Sequence, residues 1–115
     1  MSRIPERDWR IWKPLFDVAL ERFCERTLER AASYAEDDGT AHERYLRLYR
    51  YVEQRDKELG SVCDGFSRSR AILQIALAFK KKLITPEELA QFSEETHAVV
   101  SALLGSPIRP GQGTA

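Results

Sequence analysis

The run AILQIALAF, residues 71–79, constrains the fold more than any other stretch of the chain. At about 100° per residue, Ile72, Leu73, Ile75, Ala76, Leu77 and Phe79 cover more than half of a helix circumference. A helix that is apolar on so many sides has to be surrounded by other elements. The run is far too short to span a bilayer, and Gln74 interrupts it. The pattern predicts a helix from about Ser67 to Lys82, the most buried of the molecule. Lys80, Lys81 and Lys82 fall at its C-terminus, where cations complement the helix dipole.

Helix punctuation recurs on both sides of this segment, and no useful period-2 alternation appears. In ITPEEL, residues 84–89, Thr85 is an N-cap, Pro86 takes the first helical position and Glu88 completes a capping box. Ile84 and Leu89 can close over that turn. Leu89, Phe92, Val99, Val100 and Leu103 then share a face with Thr96 between, and Gly105 and Pro107 stop the helix. In TAHE, Thr40 and Glu43 have the same capping-box spacing, after a turn at DDG. Ala41, Tyr45, Leu48, Tyr49, Val52 and Leu59 form the apolar face that follows, with Gly60 at its end. The first third reads as a long helix with Phe16, Ala19, Leu20, Phe23, Thr27, Ala31 and Tyr34 on one side. Pro14 either kinks it or separates a short helix, Pro5 to Lys13, that carries Trp9 and Trp12. Glu21, Glu25 and Glu29 run beside Arg22, Arg26 and Arg30 as a solvated outer face.

These segments predict an all-α chain, an antiparallel four-helix bundle with a short extra N-terminal helix or a kinked first helix. Residues 1–104 form one domain in this reading, and residues 105–115, rich in Gly and Pro, form a disordered tail. With 115 residues, 43% of them hydrophobic, the chain can bury one core without staples. Eighteen basic residues balance eighteen acidic ones, which removes the general electrostatic argument for nucleic acid or an anionic membrane. Residues 61–84 hold five cations against one acid, and residues 85–115 hold four acids against one arginine, so neighbouring helices cancel their excess. Cys24 and Cys63 are too few for a disulfide framework and have no zinc spacing. MSRIPERDWR has no apolar run and is no secretory signal. The expectation is a soluble, cytoplasmic protein.

Two arginines, Arg68 and Arg70, stand where the dipole of the apolar helix disfavours cations. Arg68 falls on the same side as Ile72, Ile75 and Phe79. A charge on an apolar face needs a partner. Asp56, between Val52 and Leu59 on the second helix, is the candidate, giving a structural ion pair of Asp56 with Arg68 or Arg70. An earlier helix start at SVCD, residues 61–64, would instead put the arginines one turn in, with Gly65 inside the helix. A third answer is an anion. Ser67, Arg68, Ser69 and Arg70 at a helix start have the donors to hold a phosphate, without a glycine-rich loop.

No catalytic constellation is legible. EETH, residues 94–97, has the Glu-x-x-His spacing of carboxylate-bridged metal bundles, but such sites need two of these motifs. Glu94 and His97 also fall opposite Leu89, Phe92 and Leu103, on a solvent face, so no metal and no cofactor is expected. A Cys–His pair from Cys24 or Cys63 with His42 or His97 is weaker than packing for both thiols. The aromatic content points elsewhere. Trp9, Trp12, Tyr45, Tyr49 and Tyr51 are many large rings for a small bundle: either the N-terminal segment caps the bundle with its tryptophans, or Trp9, Trp12 and Tyr51 belong to a partner surface. The sequence therefore reads as a non-catalytic helical interaction protein, a regulator, adaptor or inhibitor with a protein partner or a homodimer. The alternative is a small-anion or nucleotide-phosphate binder at Ser67–Arg70.

Overall fold

Trp9, Trp12, Leu15, Ala19 and Phe23 recur at spacings of three and four and are all buried, so the first helix presents one unbroken apolar face. In the computed structural model, which describes residues 3–105, this helix, α1, runs Glu6–Ala35 without interruption. The separate helix expected before Pro14 does not form. Pro14 lies on the exposed side, so the carbonyl it leaves unbonded faces water while the buried face continues past it. A turn follows, with Gly39 at φ +107°, and α2 runs Ala41–Cys63. Its capping box is complete: the Glu43 N–H donates to Thr40 Oγ1 at 3.1 Å and the Thr40 N–H to Glu43 Oε1 at 2.8 Å. Arg44 and Arg47 fold back to donate to the carbonyls of Ala35 and Asp38, closing the turn.

α2 does not stop at Gly60, as the sequence suggested, but continues one turn to Cys63. The left-handed residue that ends it is Gly65, φ +71°. Residues 67–70 form turns, and α3 is shorter than expected, Ala71–Lys80. Arg68 and Arg70 thus precede the first residue of α3, with Arg70 at its N-cap. The α3 C-terminus closes as a Schellman motif: the Leu83 N–H donates to the Ala78 carbonyl at 2.8 Å and the Lys82 N–H to that of Phe79 at 3.0 Å. Lys82 occupies the position usually given to glycine, with φ 60°.

The last helix is also two. α4, Pro86–Leu89, has the complete Thr85–Glu88 capping box, at 3.1 and 2.8 Å. The chain then turns, and α5, Glu94–Leu104, restarts from Ser93, whose side chain accepts from the Thr96 N–H. The restart changes the register. Thr96, His97 and Val100 become the buried face, and His97, expected on a solvent face, is only 8% exposed. Gly105 ends α5 in the left-handed region as expected. The proposed tail lies outside the described residues apart from Gly105.

Among the described residues the chain is wholly helical, and its helix contacts are those of a bundle: α1 on α2, α3 on α5, and α3 on both α1 and α2. The core gathers at one end. It joins Trp9, Trp12, Ala19 and Phe23 of α1 to Ile72, Ile75, Leu89, Phe92 and Val100. Beyond Phe23 no residue of α1 is buried, and on α2 only Val62 is. The rest of α1 and α2 therefore projects as a two-helix arm from a packed base. The radius of gyration, 16.7 Å, and the longest extent, 52 Å, reflect that arm; a compact domain of this size has a radius of about 13 Å. No helix among the described residues is long and apolar enough to cross a membrane.

Candidate interaction surface

Of the rings singled out in the sequence, Trp9, Trp12 and Tyr51 turn inward, whereas Tyr45 and Tyr49 are exposed. Trp12 is fully buried, Trp9 is 7% exposed, and Tyr51 is half-buried against Tyr34 with ring centroids 5.3 Å apart. None of the three offers a free surface. Trp9 and Phe16 instead stack on Phe66, at 5.1 and 4.3 Å, and Phe66 stays partly exposed.

The expected pair of Asp56 with Arg68 is not formed. Arg68 meets Glu6 at 3.3 Å and stands 5.4 Å from the centre of the Trp9 ring. Asp56 is exposed and makes no ion pair among the described residues. The physical reason is the register of α2. The stripe that carries Asp56 is not the face that meets α1, so no buried charge has to be neutralised there. Ser67 and Ser69 bring their hydroxyls to 3.2 Å of each other. Arg68 heads to α1, whereas Arg70 packs under Gly65 and borders a shallow open groove. That groove, about 840 Å³, also takes in Asp56, Asp64, Leu20 and Leu59. The two guanidinium groups thus do not converge on a common point. Cys63 lines the same groove; burial first, then the nearby Cys24 and Asp64, push its thiol pKa up, which disfavours the reactive thiolate.

α2 meets α1 through a mixed seam. Arg55 lies 4.1 Å from the centre of the Phe23 ring, donates to Thr27 Oγ1 at 3.3 Å and reaches Glu58 at 3.0 Å. The guanidinium covers apolar surface that a purely hydrophobic count would give to Val52 or Tyr49. The consequence is a rotation of α2 by about one residue step, about 100°. Tyr45, Tyr49 and Val52, expected to be core, are 62%, 57% and 45% exposed. Leu28, on α1, is 69% exposed. At 100° per residue these side chains lie on the side of the arm turned away from α3, with half-buried Leu20, Cys24, Ala31 and Leu59 along the seam. The arm therefore carries an exposed apolar stripe over both its helices, ended toward the base by the exposed Asp56 carboxylate. Scattered exposed hydrophobics need no explanation, but a contiguous patch marks contact.

The rows of charge on α1 divide in two. Glu21, Glu25 and Glu29 stay exposed. Arg22 and Arg26 do not simply face solvent; they dock on the end of α3. Arg22 donates to the Leu83 carbonyl at 2.9 Å and forms a two-pronged pair with Glu88 at 2.7 and 3.0 Å. Arg26 donates to the Lys82 carbonyl at 2.7 Å. The Arg22 hydrogen bond, with those from Thr85, holds the Glu88 carboxyl below the usual range.

The least legible feature is Asp8. It is fully buried and accepts from the Ser93 N–H at 3.0 Å, the Ser93 hydroxyl at 2.6 Å, the Thr96 hydroxyl at 2.5 Å and Arg7 at 3.1 Å. The sequence offered only an acid in a first turn. Nearby in composition but not in bonding, the Gln74 amide and both His97 ring nitrogens are buried without a hydrogen-bond partner among the described residues. The EETH motif has no further ligands to join, since no group of three His, Cys, Asp or Glu gathers among the described residues.

Compared with protein-family models, with curated proteins and with solved structures, the chain matches none.

Proposed function

We propose that this protein acts without catalysis, as a helical regulator, adaptor or inhibitor, through the apolar stripe of its α1–α2 arm. One observation carries the reading: Leu28, Tyr45, Tyr49 and Val52 are exposed together on a part of the fold that no third helix covers among the described residues. The rings are tyrosines, which are enriched at protein contacts because they combine apolar area with a hydrogen-bonding tip. The antiparallel four-helix arrangement read from the sequence belongs to this proposal at the base, where α1, α2, α3 and α5 meet. The arm would then be the working part and the base its mount.

The test is a triple substitution, Leu28→Ser, Tyr45→Ser and Tyr49→Ser, in the full chain. On this reading association with any protein partner is lost, while the melting temperature of the dilute protein changes by less than about 4 °C, because exposed side chains contribute little to the fold. A large drop in melting temperature would show that the stripe serves the fold itself. A phosphate-dependent rise in melting temperature that disappears in Arg68→Ala/Arg70→Ala would favour the anion-binding alternative instead.

A further inference from the structure

We infer that the occupant of the arm's stripe is a second copy of this chain, and that two arms pack face to face as four helices about a two-fold axis parallel to the arm. The inference rests on the stripe being an interaction surface, as proposed above.

Three observations point to a second copy. First, the arm is half of a bundle. Two long helices already lie side by side, with half-buried residues along their seam and an exposed apolar stripe above it. Two further helices of the same spacing complete such a layer, and an identical hairpin supplies both. Second, the area suits a weak, reversible dimer. The part of α2 within the arm, residues 41–56, is about 24 Å long, and two adjacent helices are about 20 Å wide, so the face offers about 480 Å² per copy, or about 960 Å² in all, at the low end of specific interfaces. Third, charge permits the pairing and selects its geometry. The chain's formal net charge is zero, so two copies do not repel at long range. The outer edge of the stripe on α1 is acidic, at exposed Glu21 and Glu25. The outer edge on α2 carries exposed Arg50 and Lys57, with Glu53 between them. An axis running along the arm lays α1 of each copy on α2 of the other and brings Glu25 toward Lys57. An axis across the arm would lay α1 on α1, glutamate row on glutamate row, which is unfavourable.

The test is sedimentation equilibrium of the full chain from about 1 to about 200 µM, a range that brackets a micromolar dissociation constant. The wild type is expected to pass from monomer to dimer, and Leu28→Arg/Tyr49→Arg to stay monomeric with unchanged helix content. Glu25→Lys alone and Lys57→Glu alone are expected to weaken the dimer about tenfold or more, and the two together in one chain to restore it. A wild type that stays monomeric overturns the inference. If the Leu28/Tyr49 variant of such a monomer melts like wild type, the stripe remains free for another protein and the proposed function stands. If that variant loses helix or melts well below it, the stripe belongs to the monomer's own fold and both readings fail. A dimer insensitive to Leu28→Arg/Tyr49→Arg uses another face, and charge reversals that weaken without mutual rescue overturn the axis along the arm.

Discussion

Asp8 shows how much one side chain can decide. Its carboxyl satisfies the N–H and hydroxyl of Ser93 and the hydroxyl of Thr96, so a helix start at residue 93 becomes possible inside the fold. Asp8→Ala would leave the buried Thr96 hydroxyl and the two half-buried donors of Ser93 without this acceptor. Because the carboxyl's own burial cost is also removed, the expected net loss is about 2–3 kcal/mol, a fall in melting temperature of about 10–20 °C, read by thermal denaturation. Glu88 makes a pH-dependent contribution. Its folded pKa is lowered, chiefly by the Arg22 hydrogen bond, so the stabilisation is present at neutral pH and is lost as pH falls below its ordinary value of about 4.3. Glu88→Gln should lower stability at pH 7 and converge with wild type as pH falls through the lowered folded pKa, which makes the acid limb of a stability–pH profile shallower. Neither role was legible beforehand in full. The capping box announced Glu88, because Thr85 and Glu88 are three residues apart. The partners of Asp8 and Arg22 are 85 and 66 residues away, and no local pattern encodes them.

At the scale of the element, starts were easier to read than ends. Both capping boxes form as their spacing predicts, because side chain and backbone meet within one turn. The end of α3 did not announce itself, since the left-handed residue is Lys82 rather than glycine. A lysine there is strained, while glycine adopts the conformation freely, so Lys82→Gly should raise stability by about 0.5–1 kcal/mol, measured by urea unfolding, despite glycine's greater entropy in the unfolded chain. The faces of α2 and α5 misled for different reasons. On α5 the apolar periodicity runs through residues 90–93 in the sequence, but the helix restarts there, and the restart turns His97 inward. On α2 a count of apolar residues chose the face, whereas the seam with α1 is filled by Arg55 and Tyr51. Hydrophobicity alone cannot separate a stripe that meets its own chain from one left bare.

On the scale of the whole molecule, an all-helical fold with its core around residues 71–79 was legible, because an apolar run covering more than half a helix allows few alternatives. The division into base and arm was not, since it depends on how far α3 reaches along α1. Stability should follow that division. Amide hydrogen exchange of dilute protein is expected to be fastest in the arm, residues 28–56, where no residue is buried, and slowest in α3. Equal protection along α1 would contradict the division. α1 itself belongs to both parts, unbroken for 30 residues or about 45 Å. It works as a lever with its fulcrum at Trp9 and Trp12. A rotation of about 5° at that fulcrum sweeps the tip at Ala35, about 35 Å away, through about 3 Å. The aim of the tyrosines is therefore set at the opposite end of the molecule, where Asp8 clasps Ser93 and Thr96, and a change there can misdirect a surface that it never touches.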